Sequence, residues 1–202
     1  ARQAVAMLIA LKGSICIYQG EELGLPQADI LFEELTDPPG IRFWPEYKGR
    51  DGERTPMPWD TSESPNGFST VKPWLPVKYE HSVLNVATQN ADPESTLAYY
   101  RQVLAFRRAH EALVDGDIEF LKTGEPVLAF RRSGDERLVC LYNLSAETVK
   151  IGVAGEGEIA LSQAATRRKD RLELGPNGFA LLIEGEGGVA VTFRGRAVKR
   201  AA

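Results

Sequence analysis

Four groups of side chains in this 202-residue sequence could do chemistry: adjacent carboxylates at Glu21 and Glu22, a charged cluster in KGRDGERTPMPWD (residues 48–60), two histidines and two cysteines. Paired carboxylates can hydrolyse glycosides, but only when they face each other across the scissile bond, about 5 Å apart for the retaining reaction. Neighbours in sequence point in different directions, so Glu21 and Glu22 are excluded from that role. His81 and His110 each stand alone and are read as satisfied surface or core residues. Cys16 and Cys140 sit in the apolar stretches SICIY and LVCLY and read as buried free thiols. A disulfide framework or a metal site needs more cysteines, or histidines close by, so no metal and no cofactor are expected. The charged cluster offers two guanidinium groups, Arg50 and Arg54. A guanidinium stays charged, and its planar fork can hold a carboxylate and a hydroxyl together.

The elements that must position these residues fall into four zones. ARQAVAMLIAL opens the chain as a nearly all-apolar helix without a starting Met, a signal-peptide charge pattern or a capping residue. It reads as the inside of a helix, so the chain is expected to be a fragment. After Gly13, the run Ser14 to Tyr18 suits a strand covered on both faces, as in a parallel sheet. Residues 19–92 lack sustained periodicity and carry all three tryptophans, with ten of the twelve prolines lying between Pro26 and Pro93. Proline excess alone would suit disorder; the added aromatics argue for a packed loop with a function. Next comes a helix with Asp92 as N-cap and Pro93 in its first turn, carrying Leu97, Tyr100, Val103, Leu104 and Arg107 at helical spacing. From about Val114 the period changes. IEFLK, PVLAFRR, RLVCLYN, TVKIGV, EIALS, FALLIE and VAVTFR are seven predicted strands, which implies an antiparallel β-sandwich. TRRKDR, between two of them, is expected to be a solvated loop.

Taken together, these segments resemble a known family. GSICIYQGEELGL is similar to the eighth barrel strand, with its following turn, of α-glucosidases in glycoside hydrolase family 13. KGRDGERTPMPWD resembles the signature that follows that strand in oligo-1,6-glucosidase-like members, and DPPGIRFWPEYKGRD resembles a bacterial α-glucosidase branch. The resemblance covers the whole chain. It implies an α/β plus all-β architecture: residues 1–113 form the C-terminal end of a TIM-type (β/α)8 barrel, and residues 114–202 a small antiparallel β-sandwich. Such barrels place their sites at the C-terminal ends of the strands, which would put the aromatic loop on the catalytic face.

By the same resemblance, Arg50 would pair with a pocket aspartate and grip the terminal hydroxyls of a non-reducing glucose, or else simply tie the loop down. Asp51 and Arg54 would hold the loop, and Trp59 would pack below the site; contact with sugar is the alternative for each. The nucleophile, acid/base and assisting carboxylates come from earlier strands in the family, so no catalytic residue is expected in this chain. The intact protein is expected to be a retaining, exo-acting α-glucosidase, bacterial and cytoplasmic, acting on short α-glucosides. Its other partner would be the missing N-terminal part of the barrel, and the chain alone should be inactive. A formal net charge of −4 gives no reason to expect nucleic acid, and no apolar run is long enough for a membrane span. The rival reading is a stand-alone carbohydrate-binding or assembly β-sandwich, which would show exposed aromatics on its strands.

Overall fold

The computed structural model describes residues 2–61 and 66–193. Ala1 of the first predicted helix and Arg194 of the last predicted strand lie outside these. Six helices run in chain order: α1 (Arg2–Ala10), α2 (Pro38–Arg42), α3 (Tyr79–Ser82), α4 (Val86–Ala91), α5 (Thr96–Ala109) and α6 (Glu111–Val114). Five strands follow: β1 (Asp117–Phe120), β2 (Val127–Ser133), β3 (Arg137–Asn143), β4 (Val149–Arg168) and β5 (Arg171–Thr192). By packing the chain divides into two compact units, residues 16–102, and residues 2–15 with those from Val103 onward.

The second unit is built on one antiparallel sheet of order β1-β2-β3-β5-β4. Five strands replace the seven predicted because β4 and β5 each absorb several predicted segments and bend. Val149–Gly152 pairs with Arg171–Leu174, Gly152–Gly155 with Val189–Thr192, and Gly157–Gln163 with Phe179–Glu184. Gly155 stands at one of the register shifts: its φ is +107°, and a Cβ there would strike the Gly188 carbonyl. The bends bring the two halves of the sheet face to face. Val139 and Leu141 of β3 share one core with Ile151, Val153, Leu172 and Leu174, none of which they pair with. That is the two-layer packing of a sandwich. TRRKDR is not a loop but a β-hairpin: Arg167 and Arg168 end β4, Lys169 and Asp170 turn, and Arg171 starts β5. Its inward positions are supplied by Leu172 and Leu174, a period-two signal that the density of charges masks.

The other face of β2, β3 and β5 is buried as well. Phe130, Cys140, Tyr142 and Phe179 are fully buried there, and the Tyr142 hydroxyl donates to the Ala6 carbonyl of α1 at 3.0 Å. Helix α1 therefore buries Val5, Ala6, Ile9 and Ala10 in this unit. Two buried arginines satisfy its C-terminal carbonyls. Arg132 donates to the carbonyls of Ala10, Leu113, Gly116 and Asp117, and Arg107 to those of Ile9, Leu11 and Gly13.

Three predicted features differ. Ser14 to Tyr18 has no regular secondary structure and is partly exposed, because a strand needs ladder partners and none of the described strands pairs with it. Cys16 is accordingly exposed; Cys140 is buried, as expected. Helix α5 starts at Thr96, three residues later than the Asp92–Pro93 reading implied. Asp92 instead accepts the Glu94 N–H in a turn, while Ser95 Oγ caps Ala98 N–H and Gln89 Oε1 caps Leu97 N–H. Ser95 sits where its cap is reinforced by its own hydrogen bond to the Gln89 carbonyl at 2.7 Å.

Candidate functional site

Residues 48–60 are organised around Asp51. Its carboxylate is buried and accepts three hydrogen bonds, from Thr36 N–H (2.6 Å), Thr36 Oγ1 (3.0 Å) and Asp37 N–H (2.8 Å). Burial alone would raise this carboxyl's pKa, but the hydrogen bonds from Thr36 and Asp37 and the nearby Arg54 charge outweigh it, and the net shift is downward. The Asp37 carboxylate in turn accepts the Arg50 N–H at 2.8 Å. Two turns of chain, DPPG and KGRDG, thereby cross in close contact. Gly49 has φ +74°, and a Cβ on it would lie 2.9 Å from the Gly40 Cα; a Cβ on Gly52 would strike the Ala28 carbonyl. The glycines of the GRDG stretch are there because backbone passes against backbone.

The crossing fixes Arg50 while leaving its side chain 55% exposed, with both Nε (3.0 Å) and Nη2 (2.9 Å) on the Glu53 carboxylate. Tyr18 and Tyr47 are within electrostatic reach of the guanidinium. Glu53 lines a solvent-open pocket together with Tyr18, Glu21, Gln27, Met57 and His81. His81 is a satisfied core histidine, as its isolation suggested. Nε2 faces the Pro26 carbonyl at 2.7 Å, so that nitrogen donates, and Nδ1 accepts from Thr55 Oγ1 at 2.9 Å. His110 meets Glu136 at 2.8 Å. Glu21 and Glu22 turn back on their own turn, accepting Tyr18 N–H (3.3 Å) and Gly20 N–H (2.9 Å) respectively. They do not form a facing pair.

Asp51 holds the loop, as read from the sequence. Arg54 is exposed. Trp59 differs from expectation: it is 49% exposed rather than packed below a site. Its position is set through the backbone, with its N–H on the Asn66 carbonyl and its own carbonyl accepting Ala87 N–H, so the indole does not have to be buried to be placed. Phe68 and Trp74, the latter 79% exposed, line a further pocket with Arg54 and Met57. Sequence reasoning missed Glu53, Thr36 and Asp37. The signal for Asp37 was available: an Asp before Pro-Pro-Gly, followed by a Gly-Arg-Asp-Gly turn, marks two tight turns that need anchoring. Among the described residues no cluster of His, Cys, Asp or Glu could hold a metal ion. On the strands, Phe130, Tyr142 and Phe179 are buried and Phe120 is 60% exposed, which is not the aromatic face a sugar-binding sandwich presents.

The antiparallel sandwich has the build of the C-terminal domain of an amylase-family enzyme, and the chain belongs to the α-amylase family, glycoside hydrolase family 13. The α-amylase catalytic domain matches residues 1–116. Among relatives, a probable α-glucosidase of Rhizobium meliloti is 50% identical over 148 residues, 73% of this chain and 27% of that protein. An oligo-1,6-glucosidase of Heyndrickxia coagulans is 35% identical, over 74% of this chain and 30% of its own length. The solved structure of an α-glucosyl transfer enzyme, XgtA, superposes with a TM-score of 0.84 at 42% identity, covering 91% of this chain and 35% of that one. The chain thus spans about a third of the length of the proteins it matches. No helix among the described residues is long and apolar enough to cross a membrane.

Proposed function

We propose that this chain is the C-terminal part of a retaining, exo-acting α-glucosidase that releases glucose from the non-reducing end of short α-glucosides. In this reading residues 1–113 close the (β/α)8 barrel, residues 114–202 form the C-terminal sandwich, and the nucleophile and acid/base carboxylates come from the rest of the barrel. The intact protein works in the bacterial cytoplasm through a covalent glycosyl-aspartate that the acid/base glutamate helps to form and hydrolyse. Arg50 contacts the terminal glucose. The observation that supports this most is the DPPG–GRDG crossing, where glycine-limited packing and the buried Asp51 fix the backbone at Arg50, whose side chain pairs with Glu53, a residue that lines an open pocket with Tyr18. An arginine with a fixed backbone, one edge of its fork on a carboxylate and the rest of the side chain exposed suits hydroxyl recognition.

Two assays test the reading. This chain alone, given p-nitrophenyl α-glucoside, is expected to show no turnover. The intact protein is expected to release α-glucose first, seen as the initial anomer by proton NMR. Initial β-glucose overturns the retaining assignment. Turnover by the isolated chain that vanishes in Glu21→Gln or Glu22→Gln overturns the placement of the carboxylates elsewhere.

A further inference from the structure

The hairpin formed by the end of β4 and the start of β5 carries cationic groups that the site above does not use. Strand alternation sends Val149, Ile151, Leu172 and Leu174 into the core, so Lys150, Thr166, Arg168, Arg171 and Glu173 face outward, and these five line one open pocket. The register places Arg168 directly opposite Arg171, and Glu173 opposite both Thr166 and Lys150. Glu173 is drawn to Lys150, at 3.7 Å, rather than to either arginine. Neither Arg168 nor Arg171 has a side-chain hydrogen bond or ion pair among the described residues. Their neighbour Arg167 is committed elsewhere, to backbone carbonyls that include Gly155 at 2.9 Å. Like charges placed directly opposite on a sheet repel each other. Here two arginines stand opposite each other on one rung of the ladder, and the pocket they line also holds the Thr166 hydroxyl and the Lys150–Glu173 pair.

We propose that this pocket binds a phosphate dianion, either free or as the phosphoryl group of a sugar phosphate. The donors argue for phosphate over a carboxylate. Two planar forks and the Thr166 hydroxyl offer more N–H and O–H groups than two carboxylate oxygens can accept, whereas a tetrahedral dianion accepts them and cancels the repulsion between the arginines. The site lies on the sandwich, so its occupancy is independent of the glycosidase reading.

NMR titration of the full chain at low ionic strength, following the arginine Nε–H resonances, tests it with inorganic phosphate, glucose 6-phosphate and a chloride control. Saturable shifts of Arg168 and Arg171 are expected, with a Kd on the order of 1 mM. Binding of glucose 6-phosphate at least as tight as that of phosphate assigns the site to sugar phosphates; binding of phosphate alone assigns it to the free anion. Arg168→Gln and Arg171→Gln should each weaken binding about tenfold, and Lys122→Gln, an exposed lysine outside the pocket, should leave it unchanged. Equal shifts with chloride, or unaltered phosphate affinity in a folded Arg168→Gln/Arg171→Gln chain, overturn the proposal. Should the double variant not fold, absence of saturable arginine shifts in the wild-type chain overturns it by itself.

Discussion

Arg50 and Asp51 are adjacent and do opposite things. Arg50 is exposed, and its ion pair with Glu53 lies at the surface, where such pairs contribute little to stability. Arg50→Ala should therefore leave the melting temperature almost unchanged. In the intact enzyme it should lower kcat/KM by at least about a hundredfold if the guanidinium strengthens its hold on glucose in the transition state. Arg50→Lys should recover only part of that, since an ammonium lacks the fork. A folded Arg50→Ala enzyme with unchanged kcat/KM removes the residue from the site. Asp51 is the structural member. Asp51→Ala leaves Thr36 and Asp37 N–H groups without their acceptor and should cost about 2–3 kcal/mol in urea unfolding at neutral pH. Its carboxyl pKa is lowered in the folded state. That contribution is complete above the unfolded Asp value of about 3.9 and is lost as pH falls through the lower folded value. The gap between wild type and Asp51→Asn should accordingly close as the pH is taken from about 5 toward 2. The cysteines split as well. Burial raises the Cys140 thiol far above its ordinary range, while Cys16 is exposed. Ellman's reagent should titrate one thiol in the native chain and two in denaturant; two in the native chain would contradict the burial of Cys140.

Among the elements, α1 shows how a short apolar helix is held. Its last turn ends on two buried arginines, and Arg132 alone serves four carbonyls from three segments. Burial lowers the pKa of both guanidinium groups, and for Arg132 the nearby Arg107 charge adds to that, yet an arginine pKa is high enough for both to stay protonated. Arg132→Met keeps most of the volume but orphans the carbonyls. A loss of about 3 kcal/mol or more is expected in chemical unfolding, against a small effect from Arg108→Met, which is exposed. Equal effects would show that the carbonyl contacts carry no weight. The start of α5 makes a related point: Asp92 and Ser95 are both competent caps, and the choice fell to the one that the distant Gln89 could reinforce.

At the scale of the molecule, the most buried layer is the centre of the sheet, where β3 and the middle of β5 are covered on both faces. Amides of Leu141 and Leu181 should be among the slowest to exchange with deuterium, and those of residues 66–78 among the fastest. The reverse order would mean that the sheet is not the stable frame. The likeness to glucosidases extends over 73% to 85% of the chain, yet the chain spans only 27% to 35% of those relatives' lengths. Loss of activity in isolation is the corresponding expectation.

The sequence by itself determined a good deal. Motif order and spacing in QGEELG and GRDGERTPMPW identified the family, an apolar run located α1, helical spacing most of α5, and short apolar runs between turn signals found β2, β3 and the apolar part of β5. These signals are local, carried by side chains a few residues apart. Tertiary structure decided what depended on distant partners. Ser14 to Tyr18 is apolar enough for a buried strand but has no strand to pair with among the described residues. TRRKDR looked like a solvated loop, yet its outward charges and the inward Leu172 and Leu174 of the following strand make a hairpin once the sandwich core supplies an inside. Arg50 was legible as a candidate, and the Asp before Pro-Pro-Gly marked a turn that needs anchoring, but that Asp37 and Glu53 would be the groups meeting Arg50 was not legible, because nothing in a linear motif states that DPPG and GRDG pass within backbone contact. Charge, cap and pattern propose positions; only the fold decides which of them meet.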